Sequence, residues 1–199
     1  MSLIFNPAFI SRRLPHVKTP TTWNPSDKAS GVTLSNGNLT AATPNAGGSA
    51  VRTVVSAASH KHYFEITVDA VTAAGVALVG VATSGLNIST DAPGYEANGY
   101  SYRANGAKIN NSVNTAGYGA TYGAGDVISV LLDQVNNTIE FWKNGASQGI
   151  AYSSIAAGPF FAAIGDNSSG ANCTFTANFG QSPFVYERPW DYWGGLGTI

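Results

Sequence analysis

Gly125-Asp126-Val127-Ile128-Ser129-Val130-Leu131-Leu132-Asp133, followed by Asn137-Thr138-Ile139-Glu140-Phe141-Trp142-Lys143-Asn144-Gly145, is the stretch that decides the fold. Residues 126–132 are an apolar run bounded by turn residues, and residues 138–142 alternate. The two read as strands of a hairpin around Asn136-Asn137. Ile139 and Phe141 fall on one face and Glu140 on the other. Trp142 is out of phase with Ile139 and Phe141, so it faces the solvent side of its sheet or packs under a loop. Asn144-Gly145 supplies the positive φ angles of a further tight turn.

The same grammar extends in both directions. Asn36-Gly37 between Val32/Leu34 and Leu39 predicts a hairpin. In Tyr63-Phe64-Glu65-Ile66-Thr67-Val68, alternation puts Phe64, Ile66 and Val68 on one face, with Glu65 and Thr67 opposite. Residues 76–82 are apolar on both faces and read as a central strand. Residues 160–164 read as a buried strand. Cys173, Phe175, Ala177 and Phe179 share one face of the last strand. Short strands with regular turns and no sustained helical period predict an all-β antiparallel sandwich. Residues 1–22 and 187–199 read as an N-terminal arm and an aromatic C-terminal tail around a domain at 23–186.

Composition narrows the function. The chain has 199 residues, of which 11% are charged, with a net charge of −1 and 23 glycines. A typical domain is about 25% charged. The ten basic residues are scattered, and a nucleic-acid binder would show a basic patch. No apolar run is long enough for a transmembrane helix. The arginines of the N-terminal segment follow its apolar residues, an order wrong for a secretory signal. The single cysteine, Cys173, excludes an internal disulfide and metal sites built on several thiolates.

With these segments in order, the chain resembles the SPRY domain, an all-β interaction module. The 125–145 run looks like that family's glycine-aspartate-valine strand and its aromatic-lysine-asparagine-glycine hairpin. Lys61-His62-Tyr63-Phe64-Glu65-Ile66 resembles its early strand, and Gly99-Tyr100-Ser101-Tyr102 its central element. Gly158-Pro159-Phe160-Phe161-Ala162-Ala163 and Asn178-Phe179-Gly180-Gln181-Ser182-Pro183-Phe184 resemble its last two strands. The resemblance implies a bent, concanavalin-like jelly-roll sandwich that binds by loops at one end or by its concave face. It implies no cofactor and no catalysis. Trp23-Asn24-Pro25-Ser26-Asp27-Lys28 and Asn36-Gly37-Asn38-Leu39-Thr40 are similar to phage and bacterial members.

The residues themselves carry no catalytic constellation. His60 and His62 share a strand face, but two ligands fall short of a zinc set. The acids are single and dispersed, unlike a glycosidase pair. Cys173 reads as a small buried hydrophobe. The tyrosine- and asparagine-rich segment 86–122 has the composition of an adaptable recognition surface. From it, Tyr95, Tyr102, Arg103 and Asn105, with Trp142, are expected to form the ligand face. Tyr100, Tyr118 and Tyr122 read as core. Phe5, Phe9, Ile10, Arg12 and Arg13 of the arm, with Trp190, Tyr192 and Trp193 of the tail, are expected to form an assembly contact, or else the tail folds back on the domain. The functional expectation is a non-catalytic structural subunit of a multi-protein assembly, such as a phage decoration or tail protein, located in the virion or otherwise in the cytoplasm. The alternatives are a glycan-binding adhesin using the tyrosine-rich loops, and an intracellular adaptor for a short peptide. No nucleic acid, metal or membrane insertion is expected.

Overall fold

The computed structural model describes residues 19–44, 48–167 and 169–198. The expected contacts at Phe5, Phe9, Ile10, Arg12 and Arg13 lie outside the described residues.

In chain order the strands are β1 (Thr19–Pro20), β2 (Trp23–Lys28), β3 (Thr33–Ser35), β4 (Thr40–Ala42), β5 (Ser49–Thr53), β6 (Lys61–Val71) and β7 (Ala77–Ala82). Next come β8 (Gly99–Arg103), β9 (Lys108–Asn110), β10 (Val113–Thr115), β11 (Val127–Asp133) and β12 (Thr138–Lys143). The last are β13 (Ala146–Ser153), β14 (Phe161–Asp166), β15 (Cys173–Asn178), β16 (Trp193–Gly194) and β17 (Gly197–Thr198). One sheet runs β10-β9-β8-β7-β14-β5-β2 and the other β13-β12-β11-β6-β15-β4-β3. Among the described residues there is no helix, so none could cross a membrane. The fold is the all-β antiparallel sandwich that the alternation predicts.

Alternation also predicts which faces meet. Phe64, Ile66 and Val68 of β6, Val130 and Leu132 of β11, and Ile139 and Phe141 of β12 are buried in one cluster with Phe160, Phe175 and Phe179. Burying one such side chain stabilises the fold by roughly 1.5–3 kcal/mol. β7 is buried along its whole length. The reason is that the long β7–β8 connection crosses its outer face, packing Leu86 and Ala92 there.

The C-terminal segment differs from the expected external tail. β16 pairs in parallel with the start of β6, Trp193 opposite His62 and Gly194 opposite Tyr63, just beyond where β15 leaves β6 at Asn178. Gly195 approaches so closely that a Cβ there would lie 2.2 Å from the Phe179 carbonyl oxygen, and its φ is +116°. Only glycine fits such a position. Leu196 then enters the main core at 1% exposure. Its carbonyl accepts from the Thr21 N–H, and β17 pairs with β1. Residues 19–22 and 193–198 therefore close the sandwich rather than extend from it.

Candidate functional site

At one end of the sandwich, the β6–β7 connection, the β8–β9 turn and the segment before β11 surround a largely apolar cleft of about 510 Å³. Val71, Ala74 and Gly75 form one wall, Asn105 and Thr121 line another part, and Tyr122 and Ala124 complete it. The volume suits one or two bulky side chains of a ligand.

Local chemistry fixes each wall. Gly75 turns at φ +77°, and a Cβ there would press on Asn105 Cβ at 3.0 Å. Asn105 Oδ1 accepts the Ala107 N–H at 3.1 Å, while the Gly106 N–H donates to the Arg103 carbonyl. This side-chain turn holds Asn105 at the tip, exposed. The Tyr122 hydroxyl is within hydrogen-bond reach of the Tyr102 carbonyl at 2.8 Å and the Ala77 carbonyl at 3.0 Å. Burial pushes its phenol well above the ordinary value, so it stays protonated. Asp126 accepts from the Gly123 N–H at 2.9 Å and from Asn144 Nδ2 at 2.7 Å, and pairs with Lys143 at 3.3 Å. Burial acts to raise its pKa, but these donors together hold it below the usual carboxylate value.

Arg103 leaves β8 beside the cleft. Its Nε donates to the Gly75 carbonyl at 2.6 Å, and among the described residues the guanidinium pairs with no carboxylate. Arg52 is the contrast: buried, with both Asp27 oxygens at 2.8 Å and the Thr83 and Leu86 carbonyls satisfying the rest of its fork.

The expected ligand residues divide. Asn105 lines the cleft and Arg103 flanks it. Tyr95 is half-buried on the outer face, against Leu78, Ala92 and Ile109. Tyr102 corrects the expectation of an outward side chain. It is 0% exposed, packed on Phe141, Tyr118 and Tyr122, with its hydroxyl on the Ala120 carbonyl. Burial raises its pKa to about 12. The physical reason is parity: Tyr100 and Tyr102 share the inner face of β8, and Ser101 and Arg103 take the outer one. Tyr122 is core, and Tyr100 and Tyr118 are partly buried against it. The sequence reading missed Ala74, Gly75, Thr121 and Ala124, since small residues in turns carry no periodic signal.

Trp142 lies at the other functional candidate, the strap formed by the C-terminal segment. It is half-buried edge-on to Tyr63, and its Nε1 donates to Glu140 at 2.6 Å. Phe184 also packs edge-on to Tyr63, ring centroids 4.9 Å apart. Glu65, at 1% exposure, accepts the N–H groups of Val185 and Tyr186 and the Tyr63 hydroxyl at 2.8–2.9 Å. Lys61 bridges Asp191 at 2.8 Å and Asp133 at 3.1 Å, with the Tyr192 ring 5.5 Å away. The Asp191 hydrogen bond is the largest cause of a Lys61 pKa well above its ordinary value. Trp193 stacks on His60 at 4.3 Å. His62 is buried, with its ring nitrogens facing the Ser59 and Gly195 carbonyls. Tyr192 and Trp193 are thus held within the chain, while Trp190 remains 74% exposed. Of Cys173, burial raises the thiol pKa to about 12, in keeping with a core residue.

The SPRY domain family model matches residues 61–182. The chain belongs to the SPRY domain family. Ran-binding protein 9 of Xenopus tropicalis is 33% identical over 176 residues, covering 84% of this chain and 31% of that protein. Human Ran-binding protein 9 is 32% identical over 84% of this chain and 24% of that protein. This SPRY chain thus spans under a third of the length of these relatives. Among solved structures, the SPRY domain of human HERC1 superposes with a TM-score of 0.66 at 17% identity, covering 81% of this chain and 99% of that one. SPRY domains are protein–protein interaction modules, generally non-catalytic. These relatives come from animals, in place of the expected phage and bacterial ones, and they lend no support to a virion subunit.

Proposed function

We propose that this chain is a protein-recognition module and that the loop-end cleft receives a short segment of a partner protein. This is the peptide-adaptor alternative of the sequence reading, preferred over the virion subunit and the adhesin. The observation that carries it is the apolar cleft at the convergence of three connections, with Asn105 at its rim. Apolar lining with a few placed polar groups is the usual make-up of a binding pocket. Relatives named for binding Ran support protein as the ligand class; Ran itself is not carried over. The tyrosine-rich adhesin face loses Tyr102, whose ring has no surface for a sugar to stack on.

The test is selection from a random-peptide library displayed on phage, against the full chain and against Ala74→Trp, which fills the cleft. Peptides selected on the wild type should bind Ala74→Trp at least about tenfold more weakly, the loss of one well-buried apolar contact. Unchanged binding to a folded Ala74→Trp protein refutes the cleft as the site.

A further inference from the structure

Beside the cleft stands one cation, Arg103, bonded to the lining residue Gly75. Four cation–carboxylate contacts are present among the described residues: Arg52 with Asp27, Lys61 with Asp133 and with Asp191, and Lys143 with Asp126. Lys28 and Lys108 each direct Nζ to a backbone carbonyl instead, Val32 at 2.7 Å and Ala151 at 2.5 Å. Arg103 spends only Nε, on the Gly75 carbonyl. That single bond ties the guanidinium, on the outer face of β8, to Gly75, which lines the cleft. Its two terminal nitrogens, the pair that would form a fork with a carboxylate, meet no partner among the described residues. The nearby acid, Asp126, is already committed to Lys143, Asn144 and the Gly123 N–H.

We propose, resting on the cleft as the recognition site, that it selects protein segments carrying an Asp or Glu beside a bulky apolar residue. The apolar side chain fills the space among Val71, Ala74 and Ala124, and the carboxylate takes the open edge of Arg103. Three features argue for this partner. A planar guanidinium matches a carboxylate in bidentate geometry, and such charge-assisted pairs are about twice as strong as neutral hydrogen bonds. The Nε bond pre-orders the side chain, so less conformational freedom is lost when the ligand arrives. Arg103 is half-buried, and partial removal from water strengthens an ion pair relative to a fully exposed one. Asn105, at the tip of the next turn, offers an amide to the ligand backbone on the same side.

The experiment is a charge-reversal selection with the same random-peptide library against the full wild-type chain and against Arg103→Glu. Circular dichroism of both proteins must show the same strand spectrum; Arg103→Gln serves as a second, milder variant if the reversal unfolds the chain. Wild-type selection should enrich Asp or Glu next to an apolar residue. Arg103→Glu should exchange that for Lys or Arg at the same place, and Arg103→Gln should lose the acidic preference. A purified wild-type peptide should weaken about tenfold or more on Arg103→Gln, the size expected for losing a charge-assisted hydrogen bond. Peptides that bind through the cleft, lost on Ala74→Trp, but show no acidic preference would overturn the Arg103 proposal and leave the recognition reading standing. Peptides that bind Ala74→Trp unchanged would overturn both. Phosphopeptides binding more tightly than their Asp counterparts, in a direct titration, would overturn the carboxylate assignment.

Discussion

Two irregular regions border the same sandwich and are finished in opposite ways. The C-terminal strap across β6 is closed: Glu65 accepts two strap N–H groups, Lys61 bridges two aspartates, and Leu196 sits in the core. The loop end is open: its cleft is largely apolar, and among the described residues its neighbouring cation has no acidic partner. A buried polar group without a partner costs about 1–3 kcal/mol, so the strap's groups are there to complete the fold. A cation that keeps part of its surface in water tolerates the lack of an acidic partner, so half-buried Arg103 costs the fold little. The contrast separates what stabilises this chain from what is available for recognition.

The largest expected effect breaks the strap. Removing residues 187–198 should expose the β6 edge at His62 and Tyr63, strip Leu196 from the core and take Trp193 from His60. We expect a loss of more than about 5 kcal/mol, enough to unfold a domain of ordinary stability. Circular dichroism and urea titration check this; a truncated chain with an unchanged unfolding midpoint would show the strap to be ornamental. This outcome differs from an assembly arm that could be deleted without harm.

Glu65→Ala should come next, at about 3 kcal/mol, because the Val185 and Tyr186 N–H groups and the Tyr63 hydroxyl lose their acceptor together. The urea midpoint should fall with the slope nearly unchanged. A smaller effect belongs to Asp133. Burial acts to raise its pKa, but the Asn136 and Lys61 donors outweigh it and hold the carboxyl below its ordinary value. A depressed folded pKa stabilises above the unfolded value of about 4 and is lost as the pH falls through the folded one. Stability measured from pH 5 down to pH 2 should therefore drop, and Asp133→Asn should flatten that drop. An identical acid profile in the variant would contradict the assignment. Smallest of all is Arg103→Gln, which should change stability by under about 1 kcal/mol while altering binding.

Much of this was legible in the sequence. The hairpin of β11 and β12 follows from residues 125–145, and the inward set Phe64, Ile66 and Val68 from period-two alternation. Parity placed Tyr102 too, since it shares a face with Tyr100; reading tyrosine as a recognition residue overrode that simpler signal. Asn105 was legible as a polar turn residue and Arg103 as the polar end of the strand before it. The strap was not. Trp193 and Gly194 meet His62 and Tyr63 across some 130 positions of sequence, and a two-residue parallel pairing leaves no pattern in either segment. Nor was the cleft, because Ala74 and Ala124 acquire meaning only when three connections converge.

The most direct test of the account is hydrogen–deuterium exchange of the full chain with and without a library-selected peptide. The account predicts slowed exchange at residues 71–75, 104–106 and 121–125, with residues 185–196 unchanged. Slowed or quickened exchange confined to the strap, with the loop end unaffected, would contradict it and make the C-terminal segment the recognition surface.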